Sequence, residues 1–419
     1  MKSNVRPKLF RLALIGVGVL LSARLVSAQT WTQTSAPSQN WQAVASSADG
    51  KNLIAGSGDW IYYISTNSGN TWTSNSEPQK LTYYYGSWTS IASSADGDTL
   101  AAINYTVLWT STNSGLTWVS NNLPGAVFFS SLALSADGKK LVIVDGNPST
   151  GGSHPGVIYI STNAGVTVTP TTAPTNNWTS VASSADGTKL VAAAVINSLS
   201  GGLIYASTNS GYSWMLTGAP TNNAWITVAS SADGRKLVAA SETAFIPNQI
   251  YGCIYTSTNS GTTWTSNNVP IAQWQSVASS ADGSKLVAVA AEQGWIYSSS
   301  NSGATWVSNS APNDFWQCVV SSADGDVLVA APLGDQSFNP SPIYAFYSTS
   351  SPQLNLALSP TNLTLAWTVP STNFVLQQST DLVSWVNVTS PPVLNMTNLQ
   401  NQVTVSTSNS SSFYRLKTP

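Results

Sequence analysis

The chain has 419 residues with only 8% charged, one His, two Cys and a formal net charge of −2. Five of its 15 basic residues lie in the first 28 positions, so the remainder carries ten basic against 17 acidic residues, a net of −7. A body this acidic, with Arg235 and Arg415 as its only arginines, is not built to hold nucleic acid.

Lys2, Arg6, Lys8 and Arg11 precede the apolar run 12–21, and Val26-Ser27-Ala28 offers small residues for cleavage. Residues 1–28 therefore read as a secretory signal peptide with an apolar run too short to span a bilayer. No later run approaches spanning length, and no cysteine follows the cleavage site as a lipid attachment point. A secreted, periplasmic or extracellular location is expected. Ser, Thr, Asn and Gly abound in the remainder, which suits a β-rich surface.

From Trp41 onward one phrase recurs seven times: WQAVASSADG (41–50), WTSIASSADG (88–97), FSSLALSADG (129–138), WTSVASSADG (178–187), WITVASSADG (225–234), WQSVASSADG (274–283) and WQCVVSSADG (316–325). Asp49, Asp96, Asp137, Asp186, Asp233, Asp282 and Asp324 mark a spacing of 41 to 49 residues, the length of a four-stranded propeller blade. In the sixth repeat Trp274 to Ser279 alternates as a half-buried strand, and Ala281-Asp282-Gly283 is a tight turn. Lys285 to Ala290 returns, Trp295 to Ser299 forms a third strand, and Ala304 to Ser308 follows the turn Asn301-Ser302-Gly303 as a fourth.

That second turn recurs as STNSGNTW (65–72), STNSGLTW (111–118), STNAGVTV (161–168), STNSGYSW (207–214), STNSGTTW (257–264) and SSNSGATW (299–306). These segments resemble the Asp-box, S-x-D-x-G-x-T-W, of the bacterial-neuraminidase-repeat propellers, across residues 30–349. Asn67, Asn113, Asn163, Asn209, Asn259 and Asn301 stand where that family has Asp. An Asn oxygen can still accept the turn's backbone N–H groups, so the box is expected to be structural. The seventh repeat lacks its own box. Thr30 to Pro37 matches 305–312 in pattern, so the N-terminal segment is expected to supply the missing strand and close the ring.

The expected architecture is all-β: a seven-bladed β-propeller over 29–350, closed by its N-terminal strand, then a small fibronectin- or immunoglobulin-like β-sandwich over 351–419. Trp41, Trp88, Trp178, Trp225, Trp274 and Trp316 in first strands, and Trp31, Trp72, Trp118, Trp214, Trp264 and Trp306 in fourth strands, are assigned to the core. Tyr63, Trp109, Tyr159, Tyr205, Tyr255 and Tyr297 in third strands join them. Trp367 and Trp385 are the expected core of five or six short C-terminal strands, read as an accessory module or one for attachment or sorting. Cys253 and Cys318 fall in different blades and read as buried fillers rather than a disulfide. With one His and no Cys/His cluster, zinc is not expected.

In such a blade the ADG and NSG turns share one face of the disc, and every variable loop lies on the other. The turn face is nearly balanced in charge. The loop face collects Asp59, Glu77, Asp145, Glu242, Glu292, Asp314 and Asp335 against Lys80 alone, with aromatics outside the repeat. The candidate ligand-binding residues are Asp59, Trp60, Tyr83, Tyr84, Tyr85, Asp145, Glu242, Phe245, Glu292, Trp295, Phe315 and Asp335. Rings offer stacking surface and carboxylates accept hydrogen bonds, which suits an extracellular polysaccharide or a protein. Carboxylates could also hold calcium; no other cofactor is expected.

The resemblance implies sialidase activity in some members, which hold the substrate carboxylate with three arginines. Arg235 in a turn and Arg415 in the tail cannot assemble that triad. Other Asp-box glycoside hydrolases use paired carboxylates, for which Glu242 and Glu292 in neighbouring blades are the available pair. The xyloglucanase-like enzymes set theirs between two propellers, and the family's photosystem II assembly factors use a basic, Arg-rich face. Neither pattern matches. The leading reading is a secreted, monomeric, non-catalytic recognition propeller, the alternative a glycoside hydrolase.

Overall fold

The computed structural model describes residues 30–419 apart from 76–86, 105–106, 123–127, 147–155, 197–200, 247–248, 293, 336, 338, 349–351, 360, 370–373, 407–411 and 418–419. Among these residues none is helical, and no helix long and apolar enough to cross a membrane is present.

Between Thr32 and Tyr347 the strands form seven antiparallel sheets, numbered one to seven here in chain order of their innermost strands. Those strands are Trp41–Ser46, Ser90–Ser93, Phe129–Leu134, Asn177–Ser183, Ala224–Ser230, Trp274–Ser279 and Asp314–Ser321. Each sheet runs outward through four strands, and the fifth adds Gln249–Tyr251 as an extra pairing. Sheet seven takes its outermost strand from the other end of the chain: Thr32–Gln33 pairs antiparallel with Tyr344–Tyr347, placing Thr32 opposite Ala345. Trp31 is buried between sheets six and seven, against a cluster that includes Val289 and Trp316.

A backbone ring joins the sheets at their turn face. Ala48 N–H donates to Ala95 O, and the same bond repeats through Ala136, Ala185, Ala232, Ala281 and Ala323. It closes when Ala323 N–H donates to Ala48 O, with all distances between 2.7 and 2.9 Å. The following Asp explains why the phrase keeps its spelling. Asp233 Oδ1 accepts the Ser231 hydroxyl at 2.7 Å and the Arg235 N–H at 2.9 Å, and its six counterparts make the same pair of bonds. Gly234 then adopts φ +67°, open to glycine at little cost.

The outer turn is equally determined. Asn209 Oδ1 accepts the Ser207 hydroxyl at 3.0 Å and the Ser213 N–H at 2.9 Å, while Nδ2 donates to Ser213 Oγ at 2.9 Å. That last bond recurs at Asn67, Asn113, Asn163, Asn259 and Asn301, and it needs an amide N–H that a carboxylate lacks. Trp72, Trp214, Trp264 and Trp306 close the turn by donating Nε1–H to the Gly carbonyl three residues back, each at 3.1 Å.

The core lies between sheets. Trp41, Trp88, Trp178, Trp225, Trp274 and Trp316 are at most 1% exposed, with Phe129 in the same place on sheet three. The rings of Trp41, Trp178, Trp225, Trp274 and Trp316 meet a third-strand Tyr edge-on at 5.2 to 5.8 Å. Cys253 and Cys318 are both free and half-buried. Cys318 Sγ accepts the Val44 N–H across the seam between sheets seven and one, as Ser90, Ser131, Ser180 and Ser276 hydroxyls do between other sheets. Burial pushes its thiol up to about 12, so it serves as a packing group.

Residues Asn355–Lys417 form two further sheets, of four and three strands, against the five or six strands expected from the sequence. Trp367 is buried with Leu365, Leu376 and Val403, as expected. Trp385 is not in that core. It is half-buried, its ring covered by the Arg415 guanidinium at 4.1 Å and its Nε1–H bonded to Leu382 O. The turn it closes is a shortened relative of the outer turns: Asp381 accepts the Ser379 hydroxyl and the N–H groups of Val383 and Ser384. Those backbone donors, Ser384 first, hold its carboxyl well below the usual carboxylate range.

Met396 and Leu399, from the turn before the strand Gln400–Ser406, pack against Ala136, Ala185 and Ala232 of the backbone ring. The C-terminal module therefore sits on the turn face with this turn at the mouth of the central channel.

Candidate functional site

The two faces differ in what holds their charges. All three ion pairs among the described residues are on the turn face: Lys51 with Asp49, Arg235 with Asp233, and Lys285 with Asp326. Arg415 is engaged on Trp385, so neither arginine is available to the loop face.

Loop-face candidates divide by burial. Asp59 is exposed in the loop between Leu53–Ser57 and Tyr62–Ser65. Its neighbour Trp60 takes φ +65°, which turns the ring inward to 6% exposure, 5.9 Å from the Trp88 ring. Asp145 is also inside: 6% exposed, it accepts the Phe128 N–H at 2.9 Å. Both therefore act in packing and backbone bonding rather than as surface. Tyr83, Tyr84 and Tyr85 lie outside the described residues, as does the side chain of Phe245 on the strand Leu237–Ile246.

The structure does bring Glu242 and Glu292 together from sheets five and six. Glu242 ends the core part of its strand opposite Ala224, half-buried, and Glu292 is exposed in the next sheet's loop. Burial first, and then the Glu292 charge, raise the Glu242 carboxyl above its usual range. Trp295, three residues on, is 38% exposed, with its ring edge-on to Tyr297 at 6.2 Å. An exposed apolar ring thus follows, three residues on, one of two carboxylates that act on each other.

Sheet seven holds the second acidic pair. Asp314 faces Asp335 directly across the strand pair, with half-buried Phe315 next to it. Asp335 is spent on its own loop, accepting the N–H groups of Asn339 and Ser337, which hold its carboxyl low. Asp314 is 7% exposed, and its Oδ2 has no hydrogen-bond partner among the described residues. Burial and the Asp335 charge raise its carboxyl against a bond from Ser341. Asp314 thus binds its proton more tightly folded than unfolded, so its ionisation works against folding. That penalty is absent below the ordinary carboxylate range and is complete once pH exceeds the raised value. Asp314→Asn should raise stability at neutral pH by about 1 kcal/mol and lose that advantage in acid, read by thermal melts across pH. A lower neutral melting temperature would mean that the charged carboxylate has a binding partner. Among the described residues no group of three His, Cys, Asp or Glu is placed to hold a metal.

A central channel of about 720 Å³ opens between the seven innermost strands. Among the described residues its wall contains none that is charged; Gln42, Thr89, Ser130, Thr179, Ile226, Gln275 and Gln317 supply one side chain per sheet. A smaller chamber of about 170 Å³ lies at the alanine ring, with Leu399 in its wall. These seven residues follow the first aromatic of each repeat, and sequence reasoning overlooked them. The available signal was variation: Gln, Thr, Ser or Ile at one place in a phrase otherwise almost fixed.

No family model matches this chain, and no curated protein does. Solved structures do. The chain is similar to YCF48 bound to D1 peptide, at 13% identity and TM-score 0.53, covering 77% of this chain and 98% of that one. The Cps50 (Swd1) β-propeller domain of Myceliophteria thermophila matches at 13% identity and TM-score 0.55, covering 77% and 100%. Kuenenia stuttgartiensis hydrazine synthase matches at 15% identity and TM-score 0.53, covering 76% and 98%. Likeness at this identity shows the fold. The chain is an all-β protein built on a β-propeller scaffold, and the neighbours include both a peptide-bound protein and a synthase, so the scaffold leaves the chemistry open.

Proposed function

We propose that this chain is a secreted, non-catalytic recognition protein. In this reading residues 1–28 are a signal peptide, 29–350 a seven-bladed propeller of Asp-box type and 351–419 a small β-sandwich. The closed ring from Ala48 to Ala323 supports seven blades, and the Ser–Asn bonds of the outer turns support the box. The ligand is an extracellular polysaccharide or a protein, met by the loop face. One observation carries this: the exposed Trp295 ring lies three residues from Glu292, whose charge acts on Glu242, and among the described residues no ion pair engages either carboxylate. A ring with adjacent acceptors is the equipment of a shallow polar-ligand site.

The same pair favours the second reading, a glycoside hydrolase, because a carboxyl raised by burial is what a general acid requires. Both readings meet the same test. Trp295→Ala should weaken ligand binding at least tenfold with no change in melting temperature, since its ring is not part of a core cluster. Unchanged affinity would remove the loop-face assignment. Product release lost on Glu242→Gln would make the protein an enzyme.

A further inference from the structure

At five of the seven positions after the first aromatic of each repeat the residue is one of two polar kinds, Thr89 and Ile226 standing apart. On sheets three and four it is a hydroxyl used internally: Ser130 Oγ donates to Trp178 O at 2.8 Å and Thr179 Oγ1 to Trp225 O at 2.7 Å, each in the next sheet. On sheets six, seven and one it is an amide: Gln275, Gln317 and Gln42. These strands are neighbours, Trp274–Ser279 packing on Asp314–Ser321 and that on Trp41–Ser46. All three glutamines are half-buried in the channel wall, and none has a side-chain hydrogen bond to another described residue.

The three amides are reached by solvent, so each stands free to exchange its water for a ligand without first breaking a bond within the protein. Each presents a donor pair and an acceptor on one rigid group. Vicinal hydroxyls of a sugar, each both donor and acceptor, answer that pattern. The rest of the described wall is mostly small apolar and hydroxyl residues, with Ile91, Leu132 and Phe128 among the larger ones, suited to the C–H face of a sugar ring and to its polar edge. With no charged group among the described residues of the wall, an ionised ligand would be desolvated there without compensation. The channel volume lies within the range of about 300–1,000 Å³ usual for small-ligand sites. At the far end Met396 and Leu399 stand against the alanine ring, so the channel is a cup rather than a tunnel.

We propose that Gln42, Gln275 and Gln317 form a subsite for the end residue of an uncharged polysaccharide, which enters from the loop face. This deepens the recognition reading and rests on it. Trp295, on the same sheet as Gln275, would meet a residue farther along the same chain. The blind end explains why a chain terminus is bound rather than a strand threaded through.

The experiment titrates the full chain calorimetrically with short uncharged glucan, mannan, galactan and xylan oligosaccharides, and with oligogalacturonate and mixed short peptides for comparison. Wild type, Gln275→Ala/Gln317→Ala and Trp295→Ala are compared, with melting temperatures as folding controls. One oligosaccharide series should bind, and the double variant should lose about tenfold or more in affinity at an unchanged melting temperature, one hydrogen bond or more. Blocking the non-reducing end of that saccharide should have an effect of the same order. If the double variant keeps full affinity while Trp295→Ala loses it, the amides are merely hydrated; the subsite is refuted and the loop face stands. If only peptides or charged saccharides bind, the ligand class assigned to the subsite is refuted. Binding of no saccharide refutes the subsite, while the loop-face reading is then decided by whether a protein ligand binds in a Trp295-dependent way.

Discussion

Trp41→Ala is expected to destabilise the propeller by about 3–5 kcal/mol, among the largest effects of any single substitution here. The ring is fully buried at the seam between sheets one and seven, where it meets Tyr63 edge-on at 5.2 Å. Its Nε1–H donates to Ser341 O at 2.8 Å, so the change removes a large apolar volume and also one of the two donors to that carbonyl, which keeps the Gln39 N–H. Trp385→Ala is the control: that ring is half-buried under Arg415, and its loss should cost about 1 kcal/mol or less. Chemical denaturation of both variants decides the matter. Equal costs would show that the first-strand aromatics are not the core.

Removing residues 29–36 should do more. The segment supplies the outermost strand of sheet seven through Thr32 and Gln33, adds the Thr34 N–H bond to Ile343 O, and seats Trp31 and Ala36 in two core clusters. Without it the edge of Tyr344–Tyr347 is open and the ring is held only by contacts between sheets one and seven. The single melting transition should broaden and move down by more than that of Trp41→Ala. A synthetic peptide of residues 29–38, added in trans, should restore most of the loss. An unaltered transition would mean that closure does not depend on this strand.

The repeats were readable because two turns demand particular chemistry. An Asp or Asn that must accept a hydroxyl two residues back and an N–H ahead cannot drift, and a Gly at positive φ cannot be replaced cheaply. The N-terminal closing strand followed from the same pattern, since Thr30 to Pro37 copies a fourth strand. The loop face was less readable. Trp60 is counted among surface rings in the sequence because its loop is variable, yet a single left-handed residue buries it against Trp88. Asp145 was indistinguishable from a solvated acid until Phe128 N–H appeared beside it.

The channel amides were hidden for a different reason. A residue repeated once per blade reads as a strand position, and only ring closure places seven such positions around one cavity. The docking of the C-terminal module has still less signal: Met396-Thr397-Asn398-Leu399 is an ordinary turn until its two apolar side chains meet alanines more than 160 residues away in sequence. Trp385, expected inside, stays half-buried because Arg415 covers its ring at the sheet surface.

The most direct test is a binding measurement of the full chain and Trp295→Ala on a glycan array, with released sugar assayed in parallel. The expected result is specific binding that depends on Trp295 and yields no product. Sugar release that requires Glu242 and Glu292, or binding indifferent to Trp295, would contradict a non-catalytic recognition face.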